Sequence, residues 1–257
     1  MENKKNIQFV NLNGQITPKP EGIDYNLENG KVYVLHQDKY GDYMYLTEDK
    51  DFEFPKLYFE GDAHFINKCV NTFNETDKLT TGILLSGLKG SGKTLMAKKI
   101  AKKSNLPIIV VDKEVSAINV EGFFSRINIA TCVIFDEIDK YWNTRYLLGF
   151  LDGVKPTGKK LVICTCNDED EINEYLNDRC SRIRYKKSFE GLAISVVENI
   201  INSIINNDEK AKDAASYISS TLKVLSYDNV IVFAEELKNF PDESFDDIIK
   251  DLNVEIR

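Results

Sequence analysis

Residues 82–101 read Gly82-Ile-Leu-Leu-Ser-Gly-Leu-Lys-Gly-Ser-Gly-Lys-Thr-Leu-Met-Ala-Lys-Lys-Ile-Ala101, and this stretch decides the fold. The apolar run 83–85 predicts a strand, and the apolar residues that recur from Leu95 onward predict a helix. Between them stands Gly87-x-x-x-x-Gly92-Lys93-Thr94, a Walker A pattern. Placed between a strand and a helix, this pattern predicts a phosphate-binding loop, whereas an ordinary glycine turn is the alternative interpretation.

Each residue type in this loop has a chemical reason to be there. Glycines allow consecutive backbone N–H groups to turn inward around a phosphate, and the following helix N-terminus adds partial positive charge. We expect Lys93 to reach the β- and γ-phosphates and the Thr94 hydroxyl to bind Mg²⁺. The residues predicted to bind the nucleoside triphosphate are Gly87, Leu88, Lys89, Gly90, Ser91, Gly92, Lys93, Thr94 and Leu95.

A second apolar run ends in acids, as a Walker B element does. It reads Cys132-Val-Ile-Phe-Asp136-Glu137. We expect Asp136 to hold Mg²⁺ and Glu137 to polarise the water that attacks the γ-phosphate. An acidic turn after a strand is the alternative for this motif taken alone.

Two further motifs carry polar side chains that suit the same chemistry. Asn167 follows the apolar run 161–166, and ligands of parallel sheets lie beyond the carboxyl ends of the strands. We expect Asn167 to lie beside the γ-phosphate, although asparagine is also a common turn residue. Arg179 and Arg182 suit charge stabilisation as arginine fingers. A solvated basic loop that includes Arg184, Lys186 and Lys187 is the alternative.

Composition restricts the class of protein. The chain has 257 residues, 42% of them hydrophobic, and a formal net charge of −8, which disfavours nucleic-acid binding driven by overall charge but leaves a local patch open. No apolar run approaches the roughly 18 residues of a membrane span. The five cysteines form no C-x-x-C pair, and a zinc site at Cys164-x-Cys166 would need partners from only two histidines. Reduced, mostly buried thiols in a cytoplasmic protein are therefore predicted.

The remaining pattern predicts the order of elements. Residues 1–30 are polar and rich in turn residues, which predicts loop, and residues 31–48 alternate around a turn as a β-hairpin does. A helix is predicted over 63–75. Apolar runs at 107–111, 132–135 and 161–165 predict buried parallel strands separated by helices. The tail predicts helices over 192–206, 208–222, 226–239 and 242–252.

These motifs, in this order, resemble those of the AAA ATPases within the AAA+ superfamily. Residues 82–98 are similar to the family's G-I-L-L-x-G-P-P-G-T-G-K-T-L-x-A-K, with Leu88-Lys89 in place of Pro-Pro. Residues 135–139 match its Walker B, and residues 147–153 resemble its L-L-x-x-L-D-G helix end. Thr165-Cys-Asn167 falls at its sensor 1, and residues 176–182 fall at its paired arginine fingers. No sensor 2 arginine is evident around residues 226–234, and the segment 111–130 that would carry a pore loop is short, with Phe123 and Phe124 expected in the core.

The resemblance implies an α/β fold: an αβα core with a parallel sheet in the order 5-1-4-3-2, a C-terminal helical lid and a hexameric ring. We expect a small N-terminal β module at 1–55, the nucleotide-binding core at 56–187 and the lid at 188–257. The implied activity is Mg²⁺-dependent ATP hydrolysis, with Glu137, Lys93, Asn167, Arg179 and Arg182 as catalytic residues and Thr94 and Asp136 as metal ligands.

The implied partners are other copies of the chain and an unidentified protein that the ATPase remodels or assembles, with no membrane involved. A slow, nucleotide-gated assembly factor is one alternative role. A DNA-linked ATPase is another, and it would use a lysine cluster at Lys89, Lys93, Lys98, Lys99, Lys102 and Lys103. The richness in Lys, Asn and Ile is typical of AT-rich genomes, including those of bacteriophages.

Overall fold

The structure is a computed structural model that describes residues 9–12, 14–18, 26–41, 43–54, 63–152, 158–172 and 180–257. The chain divides into two compact units. The first comprises Met1–Glu53, Asp62–Ser86 and Thr94–Ser188, and the second comprises Phe54–Gly61, Gly87–Lys93 and Phe189–Arg257. None of the helices in the described part of the chain is long and apolar enough to cross a membrane.

A mixed sheet is the centre of the first unit. Its strands, among the described residues, are β1 Phe9–Leu12, β2 Gln15–Pro18, β3 Val32–Gln37, β4 Met44–Asp49, β5 Thr80–Gly87, β6 Ile108–Val111, β7 Thr131–Phe135, β8 Lys160–Cys166 and β9 Ile183–Phe189. They lie in the order β1-β2-β4-β3-β6-β7-β8-β5-β9. The whole sheet is thus larger than the five-stranded one implied by the resemblance, while β9-β5-β8-β7-β6 within it follow the order 5-1-4-3-2.

The central strands are apolar because both faces of the sheet are covered. Every residue of β7 and β8 is buried, and β6, β7, β8 and β5 pair in parallel along this part of the sheet. The α/β class with a parallel sheet is therefore confirmed. Parallel pairing also brings the carboxyl ends of these strands to one edge, where the acids that follow β7 meet the polar residues that end β8.

The N-terminal strands extend this sheet. The predicted hairpin is confirmed as β3 paired antiparallel with β4, and β3 also pairs in parallel with β6, so that Val32 lies opposite Ile108. The prediction of loop throughout residues 1–30 is wrong, because β1 and β2 form a second hairpin whose Phe9 and Ile16 are buried. Four-residue strands are too short to show a period. Whether residues 1–55 fold as a module of their own stays a prediction.

Helices cover the sheet of the first unit. They are α1 Ala63–Glu75, α2 Lys93–Ser104 (whose first residue belongs to the second unit), α3 Ala117–Phe124, α4 Ile138–Tyr141 and α5 Thr144–Asp152. The prediction for 63–75 is confirmed. Phe123 and Phe124 are buried, as expected, and the Phe124 ring lies 5.0 Å from that of Phe150. Trp142 packs edge-on against Phe135, so it belongs to this aromatic core, whereas Tyr141 is exposed.

The second unit is a helical bundle, as the tail pattern predicts. Its helices are α6 Ile194–Ile205, α7 Asp208–Thr221, α8 Tyr227–Asn239 and α9 Phe245–Asp251. Side-chain caps set three of the helix starts: Asn207 accepts from the Lys210 N–H, Ser226 from the Asn229 N–H and Ser244 from the Asp247 N–H. The apolar faces meet in a core that includes Val197, Ile200, Ile218 and Phe233, all fully buried.

The thiols behave as core residues. Cys69, Cys132, Cys164 and Cys166 are buried and Cys180 is exposed, and none of the five forms a disulfide. Burial raises the pKa of Cys69 to about 12, and burial together with the neighbouring Cys166 raises the pKa of Cys164 to about 12. Cys69 and Cys164 therefore stay protonated at neutral pH and act as small apolar side chains.

Candidate nucleotide site

The glycine loop, residues 87–93, belongs to the second unit. Its three glycines have positive φ values, +121° at Gly87, +74° at Gly90 and +98° at Gly92, which side-chain-bearing residues rarely adopt. Lys93 is only 6% exposed, and its ammonium donates to the carbonyl oxygens of Gly87 and Leu88, each at 2.7 Å. The buried cation is thus held at the loop itself, where a phosphate would compete with these carbonyls for its protons.

The helical unit packs closely on this loop. The Leu88 N–H donates to the Phe189 carbonyl at 3.1 Å, and a Cβ at Gly87 would lie 2.1 Å from that same oxygen. At the other end of the loop, the Tyr227 N–H donates to the Gly90 carbonyl at 3.0 Å. Asp228, in the first turn of α8, lies close to Gly90. A Cβ added at Gly90 would be 3.1 Å from the Asp228 carboxylate. The helix start that faces the loop therefore presents an acid, consistent with the lack of an evident sensor 2 arginine.

The Walker B acid lies in a hydrogen-bonded cluster of the first unit. Asp136 Oδ1 accepts from the Thr94 hydroxyl at 3.0 Å and from the Thr165 hydroxyl at 2.6 Å. Thr165 Oγ1 in turn accepts from the Glu137 N–H at 2.8 Å. The strand register explains why Asp136 and Thr165 are in contact. Phe135 lies opposite Cys164 on the neighbouring parallel strand, so the next residue of each chain segment lies at the same edge of the sheet. Thr94 and Asp136 are thus brought together as predicted, and they offer the hard oxygen donors that suit Mg²⁺.

Glu137 and Asn167, predicted as base and sensor, also meet. The Asn167 amide donates to Glu137 Oε1 at 3.0 Å, and the Lys140 ammonium donates to the same oxygen at 2.7 Å. The hydrogen bond that Lys140 donates to Glu137 raises the pKa of Lys140, so this lysine stays charged. Glu137 itself has φ 51° and ψ 55°, a left-handed conformation that is costly for a residue with a side chain.

Three residues of this cluster were not among those predicted. Thr165 belongs to the Thr-x-Asn motif, in which only the asparagine has a predicted role. Asp139 Oδ2 accepts from the Asn167 N–H at 3.0 Å and from the Asp168 N–H at 3.2 Å, so it holds the sensor loop in place. Lys140 follows Walker B with no sequence signal beyond its spacing of three from Glu137.

The two predicted arginine fingers have different outcomes. Arg179 lies outside the described residues. Arg182 is 7% exposed, and its guanidinium donates two hydrogen bonds to Asp152, each at 2.6 Å. The alternative is wrong in predicting a loop, because Arg184, Lys186 and Lys187 lie on β9, where Lys186 pairs with Glu169. The solvent exposure that it expects is found at Arg184 and Lys186. In this structure Arg182, which immediately precedes β9, binds the last residue of α5 in the same chain.

Much of the lysine cluster is engaged in local contacts. Lys102 donates to both carboxylate oxygens of Asp51, at 2.7 and 2.8 Å, and to the Gly30 carbonyl. The Lys98 ammonium lies 5.3 Å from the centre of the Phe52 ring. Lys89 and Lys103 are exposed. Lys98 and Lys102 therefore bind the N-terminal segment rather than form an open cationic stripe.

Comparison with known proteins agrees with this geometry. Residues 83–188 match the model of the family described as "ATPase family associated with various cellular activities (AAA)". Among solved structures, the chain is similar to a mutant of RuvB from Thermotoga maritima, with a TM-score of 0.57 and 13% identity over 76% of this chain and 70% of that one. At that identity the likeness shows the fold. None of the curated proteins compared with the chain matches it. Residues 83–188 therefore match the AAA ATPase family, which the motifs also indicate.

Proposed function

We propose that the chain is a Mg²⁺-dependent ATPase that works as an oligomer to remodel or assemble a protein partner. The observation that carries the proposal is the unbroken chain of hydrogen bonds from Thr94 through Asp136 and Thr165 to Glu137. It links the hydroxyl expected on the metal, the metal carboxylate and the expected base in one cluster. Family membership supports ATP as the substrate.

The residues present fit a magnesium ion. The Thr94 hydroxyl and the Asp136 carboxylate would hold it, because Mg²⁺ prefers oxygen ligands and commonly takes one or two from protein, with water and phosphate supplying the rest. When bound, the ion would neutralise the charge that develops on the phosphate oxygens.

The glycine loop would bind the triphosphate. Lys93 and Thr94 are consecutive, so the phosphate-binding lysine and the metal-binding hydroxyl start the same helix. The loop amides between Gly87 and Thr94, together with Leu95, would follow the phosphates, and the helix N-terminus favours the negative charge. Lys93 would exchange its bonds to the Gly87 and Leu88 carbonyls for bonds to phosphate oxygens, a charge-assisted and therefore stronger interaction.

Glu137 would act as the general base for hydrolysis. A water attacks the γ-phosphorus while its proton passes to the Glu137 carboxylate, and the bond between the γ-phosphorus and the bridging oxygen breaks, so that ADP leaves with that oxygen. The products are ADP and inorganic phosphate. Asn167, which now donates to Glu137, would donate to the γ-phosphate or to the attacking water. Arg179 and Arg182 of a neighbouring copy would stabilise the transferred phosphoryl group, and this assignment requires Arg182 to leave Asp152.

The test is Glu137→Gln, which keeps the shape of the side chain and removes the base. Hydrolysis should fall by about 10²–10⁴-fold, the usual contribution of a general base, while ATP binding is retained. Glu235→Gln, an exposed change on α8 that removes the same charge, is the control and should hydrolyse ATP normally. Hydrolysis by the Glu137 variant at the wild-type rate would refute the assignment.

Sizing the Glu137→Gln variant with and without ATP tests the oligomeric part of the proposal. We expect assembly to require ATP, and a species of unchanged size would contradict a nucleotide-gated ring. The DNA-linked alternative makes a separate prediction, namely hydrolysis stimulated by DNA with a steep dependence on salt. The contacts of Lys98 and Lys102 support the protein-partner role over it.

A further inference from the structure

The one-turn helix α4 brings Lys140 back onto Glu137. The Lys140 N–H donates to the Glu137 carbonyl at 3.0 Å and the Tyr141 N–H donates to the same carbonyl at 3.3 Å, so the turn begins at Glu137 itself. Residues three apart on a helical turn lie side by side, and the Lys140 ammonium accordingly lies 2.7 Å from Glu137 Oε1. The backbone therefore keeps the ammonium within reach of the carboxylate.

Two donors from different elements bind the same carboxylate oxygen. Lys140 reaches Oε1 from α4, and the Asn167 amide reaches it at 3.0 Å from the end of β8. The Asn167 backbone is held by Asp139, which is also on α4. The helix α4 thus fixes both donors to Oε1. It carries Lys140 itself, and its Asp139 carboxylate holds the backbone of Asn167.

The backbone of Glu137 makes such support necessary. A left-handed conformation is unfavourable for a residue with a side chain, and it persists where the surroundings over-determine it. A glutamate side chain has three rotatable bonds, so a single donor leaves the carboxylate free to swing about that contact. A second donor on the same oxygen removes much of this freedom, and small displacements of a reacting group lower rates strongly.

We infer that Lys140 is a positioning residue that holds the Glu137 carboxylate in place for the attack of water on ATP. The inference rests on the proposed function. It goes beyond an ordinary surface ion pair, although the side chains of Lys140 and Glu137 are 43% and 27% exposed and such pairs add little to stability. The expected effect is therefore on the rate of hydrolysis and not on the stability of the fold.

The experiment compares Lys140→Met and Lys140→Arg with wild type in steady-state ATP hydrolysis. Lys140→Met should lower kcat by about 10-fold with little change in KM, because the base loses its position while the phosphate-binding loop is untouched. Lys140→Arg keeps a cationic donor at the same place and should restore kcat to within about 3-fold of wild type.

The matched control is Lys250→Met. Lys250 forms the same kind of exposed pair three residues from its partner, with Asp247 at 3.0 Å on α9, so its loss removes the same charge and the same local contact. It should leave kcat unchanged. Thermal melts of each variant report folding, and Lys140→Gln replaces Lys140→Met if the latter melts at a lower temperature.

Outcomes separate the two proposals. If wild type hydrolyses ATP and the Lys140→Met variant does so at an equal or higher rate, the positioning role is refuted while the ATPase stands. Failure of arginine to restore the rate, or an equal loss in Lys250→Met, also overturns the role. If wild type itself does not hydrolyse ATP, the proposed function fails, and the positioning role fails with it.

Discussion

The Thr165 hydroxyl donates to Asp136 Oδ1 over 2.6 Å, and it accepts the Glu137 N–H over 2.8 Å. One small side chain thus contacts both the expected metal ligand and the backbone of the expected base. The contact is possible because β7 and β8 are parallel neighbours whose last residues lie side by side. A shift of one residue in this register would turn Thr165 to the opposite face of the sheet.

Thr165→Val should therefore lower the proposed ATPase activity without leaving a cavity in the core. Valine has nearly the same shape but can neither donate to Asp136 nor accept from Glu137, and lost bonds to charged or buried groups cost about 1–3 kcal/mol. We expect hydrolysis to fall by about 10-fold or more and the Mg²⁺ concentration for half-maximal rate to rise. Steady-state assays over a Mg²⁺ titration measure both.

Thr165→Ser is the matched control because it retains the hydroxyl. It should hydrolyse ATP within about 3-fold of wild type, since the serine oxygen can make the same two bonds. Equal rates for the valine variant and wild type would show that Thr165 does not organise the site.

Arg182 and Asp152 should prove to be coupled in stability. Both hydrogen bonds that the guanidinium donates to Asp152 are 2.6 Å long, and they raise the pKa of Arg182, which is charged in any case. Because Asp152 is partly exposed, we expect each of Arg182→Gln and Asp152→Asn to cost only about 1–3 kcal/mol, with a smaller additional loss in the double variant. Urea unfolding of the three variants gives the coupling free energy.

Arg184→Gln, an exposed change on β9 two residues after Arg182, is the control for this cycle and should be close to neutral. The arginine-finger assignment predicts a different result for Arg182→Gln. The assembled variant would lose hydrolysis, while its free energy of unfolding would equal that of wild type. Additive losses in the double variant would mean that the two side chains do not support each other.

Lys160 should make stability depend on pH. Its side chain is fully buried at the start of β8, and its ammonium donates to the carbonyls of Ile127, Ile129 and Gly158 at 2.9, 3.2 and 2.9 Å. Burial lowers the pKa of Lys160 from 10.5 to about 7. Between these two values the unfolded chain binds a proton that the folded chain does not, so the free energy of unfolding rises with pH, and below about pH 7 the slope disappears.

Lys160→Met removes this titration and leaves the others unchanged. The difference in free energy of unfolding, wild type minus variant, should therefore increase as pH is raised from 7 to 9. Urea unfolding of both proteins at several pH values measures this difference. Taking the difference cancels the contribution of every other titrating group. A difference that is constant over this range would mean that the three carbonyls keep the pKa of Lys160 near its ordinary value.

Local signals account for what could be predicted from the sequence. The glycine loop, helix 63–75 and the four helices of the tail have periods, caps or glycines that act within a few residues, and the structure places these elements where the pattern predicts them. The apolar runs that became β6, β7 and β8 were visible for the same reason. Five motifs in order were enough to indicate the AAA family, because each motif is a short stretch with its own chemistry.

Only the tertiary structure decided which distant side chains meet. β1 and β2 are too short to show a period, and β9 carries charges on the face opposite its buried Ile183. These three segments are strands because they pair with other strands, and the local pattern alone does not predict them. The contacts of Thr165 with Asp136 and of Arg182 with Asp152 join residues about 30 positions apart. Such contacts depend on strand register and helix packing, and no short stretch of sequence contains that information.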